Sequence, residues 1–201
     1  MRRGRGGNPV VRVAVLVSGG GTNLQAILDS VGTVITSAQI ALVISSSEKA
    51  YALTRAENYG VASMVIKKED ELNTALSQHG IDLIVLAGYM KILSEEFTAK
   101  WSRRIINVHP SLIPSFCGKG MYGLRVHEAA LSYGVKVSGA TVHFVNEIPD
   151  GGEIIFQKAV DVIPGDTPET LQRRIMEQAE WILLPKAIEQ VAKEIENAKL
   201  S

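Results

Sequence analysis

Residues 11–17, Val-Arg-Val-Ala-Val-Leu-Val, run directly into Ser18-Gly19-Gly20-Gly21-Thr22-Asn23. A valine-rich run with almost no polar interruption is the pattern of a strand buried on both faces of a parallel sheet. The glycines then turn the chain, and Leu24, Ile27, Leu28 and Val31 recur at helical spacing. A strand that enters a helix through a glycine-rich turn leaves the first helical amides pointing out of the sheet, where they attract an anion. The turn has neither the Gly-Lys-Ser/Thr of a P-loop nor the full GxGxxG fingerprint. It therefore predicts a phosphate site without specifying a dinucleotide.

The alternation continues. Strands are predicted at residues 40–44, 62–66, 83–87 and 104–108, with helices at 50–59, 69–79 and 94–101 between them. This order predicts an α/β protein with a doubly wound, mostly parallel open sheet and right-handed crossovers. Past residue 108 the pattern changes. A Pro- and Gly-rich loop spans 110–123, a helix 123–133, and residues 137–145 and 153–162 form a C-terminal antiparallel strand pair. From Thr167 a long C-terminal helix is predicted, opened by Asp166 or Thr167 and by Pro168, with Leu171, Ile175, Ala179, Ile182 and Leu183 as its buried stripe. Residues 1–10 read as a disordered leader. Residues 11–201 read as one domain, a phosphate-binding half to about residue 100 and a catalytic half after it.

Composition narrows the function. Lys plus Arg equals Asp plus Glu at 21 each, so no global field draws the chain to nucleic acid or an anionic membrane. No apolar stretch approaches the ~20 residues of a membrane span. Cys117 stands alone, so it cannot form an internal disulfide, and nothing like a Cys/His metal quartet exists, which points to a reducing cytoplasm.

The chemistry concentrates in Asn107-Val108-His109-Pro110-Ser111-Leu112-Ile113-Pro114. Alternate residues of a strand share a face, so Asn107 and His109 point the same way. An amide can donate to a developing oxyanion while an imidazole moves the proton. Asp150, in Pro149-Asp150-Gly151-Gly152, reads locally as a turn former, yet a carboxylate is the third group such a site needs. His143 reads as a support for the site or as a half-buried side chain, His79 as a helix end and His127 as a helix-surface residue. Met90-Lys91-Ile92-Leu93 follows a strand tip and reads as an apolar slot for a flat ring or as a plain loop. Glu177 and Glu180, three apart, read as a solvated helix face.

Taken in order, Ser18 to Asn23, Leu86-Ala87-Gly88-Tyr89 with Met90 to Leu93, Asn107 to Pro114, Ser138-Gly139-Ala140-Thr141-Val142-His143-Phe144-Val145 and Asp150-Gly151-Gly152 resemble the phosphoribosylglycinamide formyltransferase family, from Val11 to about Ala192. The resemblance implies a Rossmann-like sheet of formyltransferase type. It also implies transfer of a formyl group from 10-formyltetrahydrofolate, a co-substrate, to the amine of glycinamide ribonucleotide in purine biosynthesis, without a metal. Asn107, His109 and Asp150 stand where that family keeps its catalytic trio. Gly21, Thr22 and Asn23 would bind the ribonucleotide phosphate and Glu180 would meet the amine. Met90, Lys91, Ile92 and Leu93 would border the pteridine together with Asn107. Lys67 is the nearest candidate for a basic folate contact and Lys68 the alternative. Arg125 stands where some relatives carry another His, and the loop after Pro114, which holds Cys117, is longer than in better known members. The implied partners are the two substrates, not nucleic acid or membrane, in a monomer or homodimer. A formyltetrahydrofolate hydrolase, a methionyl-tRNA formyltransferase and a silent nucleotide sensor are the rival readings; the first two are expected to carry an additional domain.

Overall fold

The computed structural model describes residues 10–200, so the expected leader lies, apart from Val10, outside the described residues. Seven strands and seven helices alternate as Val11–Val17 (β1), Thr22–Asp29 (α1), Ala38–Ser45 (β2), Ala52–Asn58 (α2), Ser63–Val65 (β3), Glu69–Gln78 (α3), Leu83–Leu86 (β4), Glu95–Lys100 (α4), Ile105–His109 (β5), Leu124–Tyr133 (α5), Val137–Phe144 (β6), Ile154–Asp161 (β7), Pro168–Ile175 (α6) and Trp181–Leu200 (α7). They form one sheet in the order β3-β2-β1-β4-β5-β6-β7. The first five strands are parallel, and β6 and β7 are antiparallel. Strand order reverses between β1 and β4, the place where open α/β sheets bind ligands beyond the strands' carboxyl ends.

The valine-rich run of β1 serves two cores at once. Val11, Val13, Val15 and Val17 face α1 and α7, packing with Leu24, Ile27, Leu184 and Ile188. Ala14 and Leu16 face the other way, among Leu72 and Leu76 of α3 and Phe97 of α4. Both sets are buried, so every second residue on either face must be apolar and no amphipathic alternation survives.

The C-terminal helix resolves the choice of cap left open by the sequence. The Thr167 hydroxyl accepts the Thr170 N–H and the Thr170 hydroxyl accepts the Thr167 N–H, a capping box with Pro168 in the first turn. Asp166 instead accepts two hydrogen bonds of 2.6 Å from Arg174. The helix is also not uniform. Between α6 and α7 the residues Met176–Glu180 form a π-helical turn. Such single wide turns are frequent at functional positions.

One expectation fails here. His127, read as a surface residue, is fully buried on the inner face of α5 beside Val126 and Ala130. Helix α5 packs against α6 and turns this stripe inward. Among the described residues, no helix is long and apolar enough to cross a membrane.

Candidate active site

Strand β5 places Asn107 half-buried and His109 buried on one face of the sheet. The antiparallel register of β6 sets His143 opposite Asn107. His143 Nδ1 donates to the Phe144 carbonyl at 2.8 Å, so its Nε2 accepts, and the Asn107 amide donates to that atom at 3.2 Å. An amide carries two N–H groups. With one given to His143, the other is left for the cavity that Asn107 lines.

His109 Nε2 donates to the Phe116 carbonyl at 2.9 Å, which turns Nδ1 toward Asp150 Oδ2 at 3.5 Å. His143 Nε2 lies 3.5 Å from Asp150 Oδ1. The carboxylate thus stands between two imidazoles, longer than a hydrogen bond from each, and its firm contact is the Gly118 N–H, which donates to Oδ2 at 2.8 Å. Thr141 secures the intervening segment, since its hydroxyl donates to the Ser111 carbonyl at 2.7 Å and accepts the Ile113 N–H at 3.1 Å.

The turn that delivers Asp150 is sterically specified. Asp150 has φ 56°, a left-handed conformation that Asp tolerates better than most residues. A Cβ on Gly152 would lie 1.8 Å from the Phe144 carbonyl oxygen, so only glycine lets this turn close onto the end of β6.

Burial and charge compete at these groups. Burial pushes the Asp150 carboxyl up, but the neighbouring His143 and His109 imidazoles and the Gly118 N–H together hold it below its ordinary value. For His109 burial prevails over the attraction of Asp150 and the Phe116 hydrogen bond, and its pKa falls. The resting site therefore pairs an ionised carboxylate with a neutral imidazole. Burial takes His127 down to about 4, helped by the nearby His109. Burial takes Glu180 up to about 7, opposed by the Asn23 hydrogen bond.

Two cavities meet at this centre. The smaller, of about 150 Å³, is lined by Leu86, Leu93, Val145 and Ile148 and fits a flat apolar group. The larger, of about 500 Å³, is lined by Asn23, Met176 and Glu180 and by residues 118–123. Asn107 and Asp150 line both.

The other sequence-predicted residues fall as follows. Gly21, at φ 72°, caps α1 where a Cβ would lie 2.7 Å from Ala52, so α2 packs directly on the turn. Thr22 approaches Met176, with Oγ1 at 3.8 Å from its sulfur, and Asn23 donates to Glu180 at 2.8 Å. Met90, Lys91 and Ile92 line the larger cavity, and Lys91, Ile92 and Leu93 the smaller. Lys67 lines neither cavity; its ammonium pairs with Glu48 at 2.8 Å on the surface, while its carbonyl accepts from Lys91. Lys68 lies exposed 3.9 Å from Glu71. Arg125 stacks over Tyr122 at 5.0 Å. Cys117 donates to the Pro114 carbonyl at 3.2 Å, and burial followed by Asp150 raises its thiol pKa.

The solvated face expected of Glu177 and Glu180 does not form. Glu177 pairs with Arg173 at 2.8 Å outside, whereas Glu180 is buried and faces the cavity. A π turn advances each residue by less rotation than an α turn, so two positions three apart separate instead of stacking. Residue-by-residue reading also undervalued His143 and could not reach the Phe116 carbonyl and the Gly118 N–H. The signal for His143 was its place in the predicted strand beside β5, but the register that sets it against Asn107 is not written in either strand alone.

A mostly parallel sheet with an antiparallel pair at one edge, an Asn-His-Asp centre and a glycine-rich turn at the strand ends define a formyl transferase. The chain belongs to the formyl transferase family, which matches residues 11–188. Phosphoribosylglycinamide formyltransferase of Haemophilus influenzae is 40% identical over 186 residues, 88% of this chain and 85% of that protein. The human trifunctional purine biosynthetic protein adenosine-3 is 45% identical over 190 residues, 90% of this chain, and the chain spans 18% of its length. The crystal structure of phosphoribosylglycinamide formyltransferase from Anaplasma phagocytophilum superposes with a TM-score of 0.85 at 40% identity, covering 92% of this chain and 88% of that one.

Proposed function

We propose that this protein transfers the formyl group of 10-formyltetrahydrofolate to the primary amine of glycinamide ribonucleotide, a step of purine biosynthesis, in the cytoplasm and without a metal. The observation that carries this reading is the position of Asp150, with oxygens 3.5 Å from His109 and His143 and a place on the wall shared by an apolar slot and a larger cavity. The pteridine occupies the slot beside Ile92 and Leu93. The ribonucleotide occupies the larger cavity with its phosphate toward the amides of Gly21, Thr22 and Asn23, the N-terminal end of α1. Its amine faces Glu180.

The amine attacks the formyl carbon where the cavities join. Asn107 donates its uncommitted N–H to the oxyanion, and His109 takes up a proton as negative charge develops beside it. Asp150 offsets the imidazolium charge, receives the ammonium proton of the tetrahedral intermediate through water and returns it to N10 of the folate as that nitrogen leaves. Collapse expels tetrahydrofolate, and no covalent enzyme intermediate forms. Supplying formyl-labelled donor with and without glycinamide ribonucleotide tests the reading. Label is expected in the ribonucleotide, with a folate absorbance change that requires it. Release of labelled formate regardless of ribonucleotide would replace transfer by hydrolysis.

A further inference from the structure

We infer that Lys119 is a specificity-determining residue that engages the anionic end of the ribonucleotide from the loop side of the larger cavity. This inference rests on the function proposed above and adds to it a contact from the loop of residues 118–123.

The cavity wall carries two acidic side chains, Asp150 and Glu180, and two basic ones, Lys91 and Lys119. A substrate phosphate entering a cavity whose wall already carries an ionised Asp150 gains from a cation on that wall, because charges are poorly screened where water is displaced. Lys91 is already committed, since its ammonium donates to the Lys67 carbonyl. Arg55, behind the glycine-rich turn, donates to the Gly20 carbonyl and to Gln25 and does not line the cavity. Lys119 is exposed and, among the described residues, forms no hydrogen bond or ion pair, yet it lines the cavity.

Its backbone is placed by the catalytic centre itself. Gly118 gives its N–H to Asp150 and the Phe116 carbonyl accepts from His109, so the residue next to Lys119 is tied to the carboxylate. Gly118 and Gly120 have φ of 90° and 87°, with open space where a Cβ would stand. The lysine is thus carried on a backbone that only glycines adopt readily, with nothing packed against its flanks. A compact ammonium with three donors suits a phosphate group.

The test compares wild type with Lys119→Met and Lys119→Arg. Lys119→Met is expected to raise KM for the ribonucleotide and Ki for inorganic phosphate by roughly tenfold each, the loss typical of a charge-assisted hydrogen bond. KM for the formyl donor should move less than twofold, Lys119→Arg should restore most of the phosphate affinity, and the difference should shrink at high salt. An unchanged Ki for phosphate overturns the inference, as does a rise confined to the formyl donor, which would give Lys119 to the folate. Phosphate binding by calorimetry reads the same contact without turnover, so a failure of the inference is seen apart from a failure of formyl transfer.

Discussion

Asp150 is fixed by its backbone and by one amide, while both imidazoles stay just beyond hydrogen-bonding distance. Removing its charge leaves the shape of the larger cavity in place. Asp150→Asn is therefore expected to lower kcat by about a hundredfold or more while ribonucleotide affinity changes only severalfold; titration calorimetry beside steady-state kinetics checks the split, and near-normal turnover would remove Asp150 from the mechanism. Glu180 makes a different kind of prediction. Its folded pKa of about 7 lies above the ordinary 4.5, so its contribution to stability is complete below pH 4.5 and is lost as pH rises through 7. Glu180→Gln should accordingly stabilise the free protein at pH 8, by on the order of 3 kcal/mol, and weaken ribonucleotide binding; denaturant unfolding at pH 5 and pH 8 reads the first effect. Of these residues, Asn107 and His109 were visible in the sequence because strand periodicity alone puts them on one face. Asp150 was visible only through the resemblance, since Pro-Asp-Gly-Gly is an ordinary turn on local grounds. The inward placement of Glu180 was invisible to helical periodicity, because the π turn changes the count.

At the scale of elements, the strands were readable almost residue for residue, because a sheet covered on both faces demands uninterrupted apolar runs such as that of β1. Helix α5 was placed correctly, but its inner face was not, as His127 interrupts an otherwise apolar stripe. The tightest sequence requirement lies in the turn between β6 and β7, where Gly152 meets the Phe144 carbonyl. Gly152→Ala must push the turn off the strand, at a cost of roughly 2 kcal/mol or more. A fall in Tm of about 5 °C or more is expected for a domain of this size, together with loss of turnover, since Asp150 moves with the turn. An unchanged Tm in a thermal scan would show that the turn accepts a side chain at this position.

The whole molecule balances buried groups of opposite sense. His127 has a folded pKa of about 4 against an ordinary 6.5, so the stability it supports is present above pH 6.5 and is lost as pH falls toward 4; the lowered pKa of His109 acts in the same direction. Glu180 has the reverse slope, so wild-type unfolding mixes the two and only variants separate them. His127→Leu should abolish on the order of 3 kcal/mol of the acid-side loss between pH 6.5 and 4, read by urea unfolding across that range; a curve parallel to wild type would count against the assignment. The larger cavity also joins the first helix to the π turn that precedes the last, through the contact of Asn23 with Glu180. A ligand at a hundred times its Kd should add ~2.7 kcal/mol and raise Tm by about 5–10 °C.

The segment from Phe116 to Gly118 touches His109 with one backbone group and Asp150 with another, and the residue after it edges the larger cavity. Grafting this stretch from a relative with a shorter connection would thus retune proton affinity at both groups along with the shape of the entrance, even with every reacting side chain kept. Exchanges between such enzymes have to move the connection and its two anchoring peptides as one block.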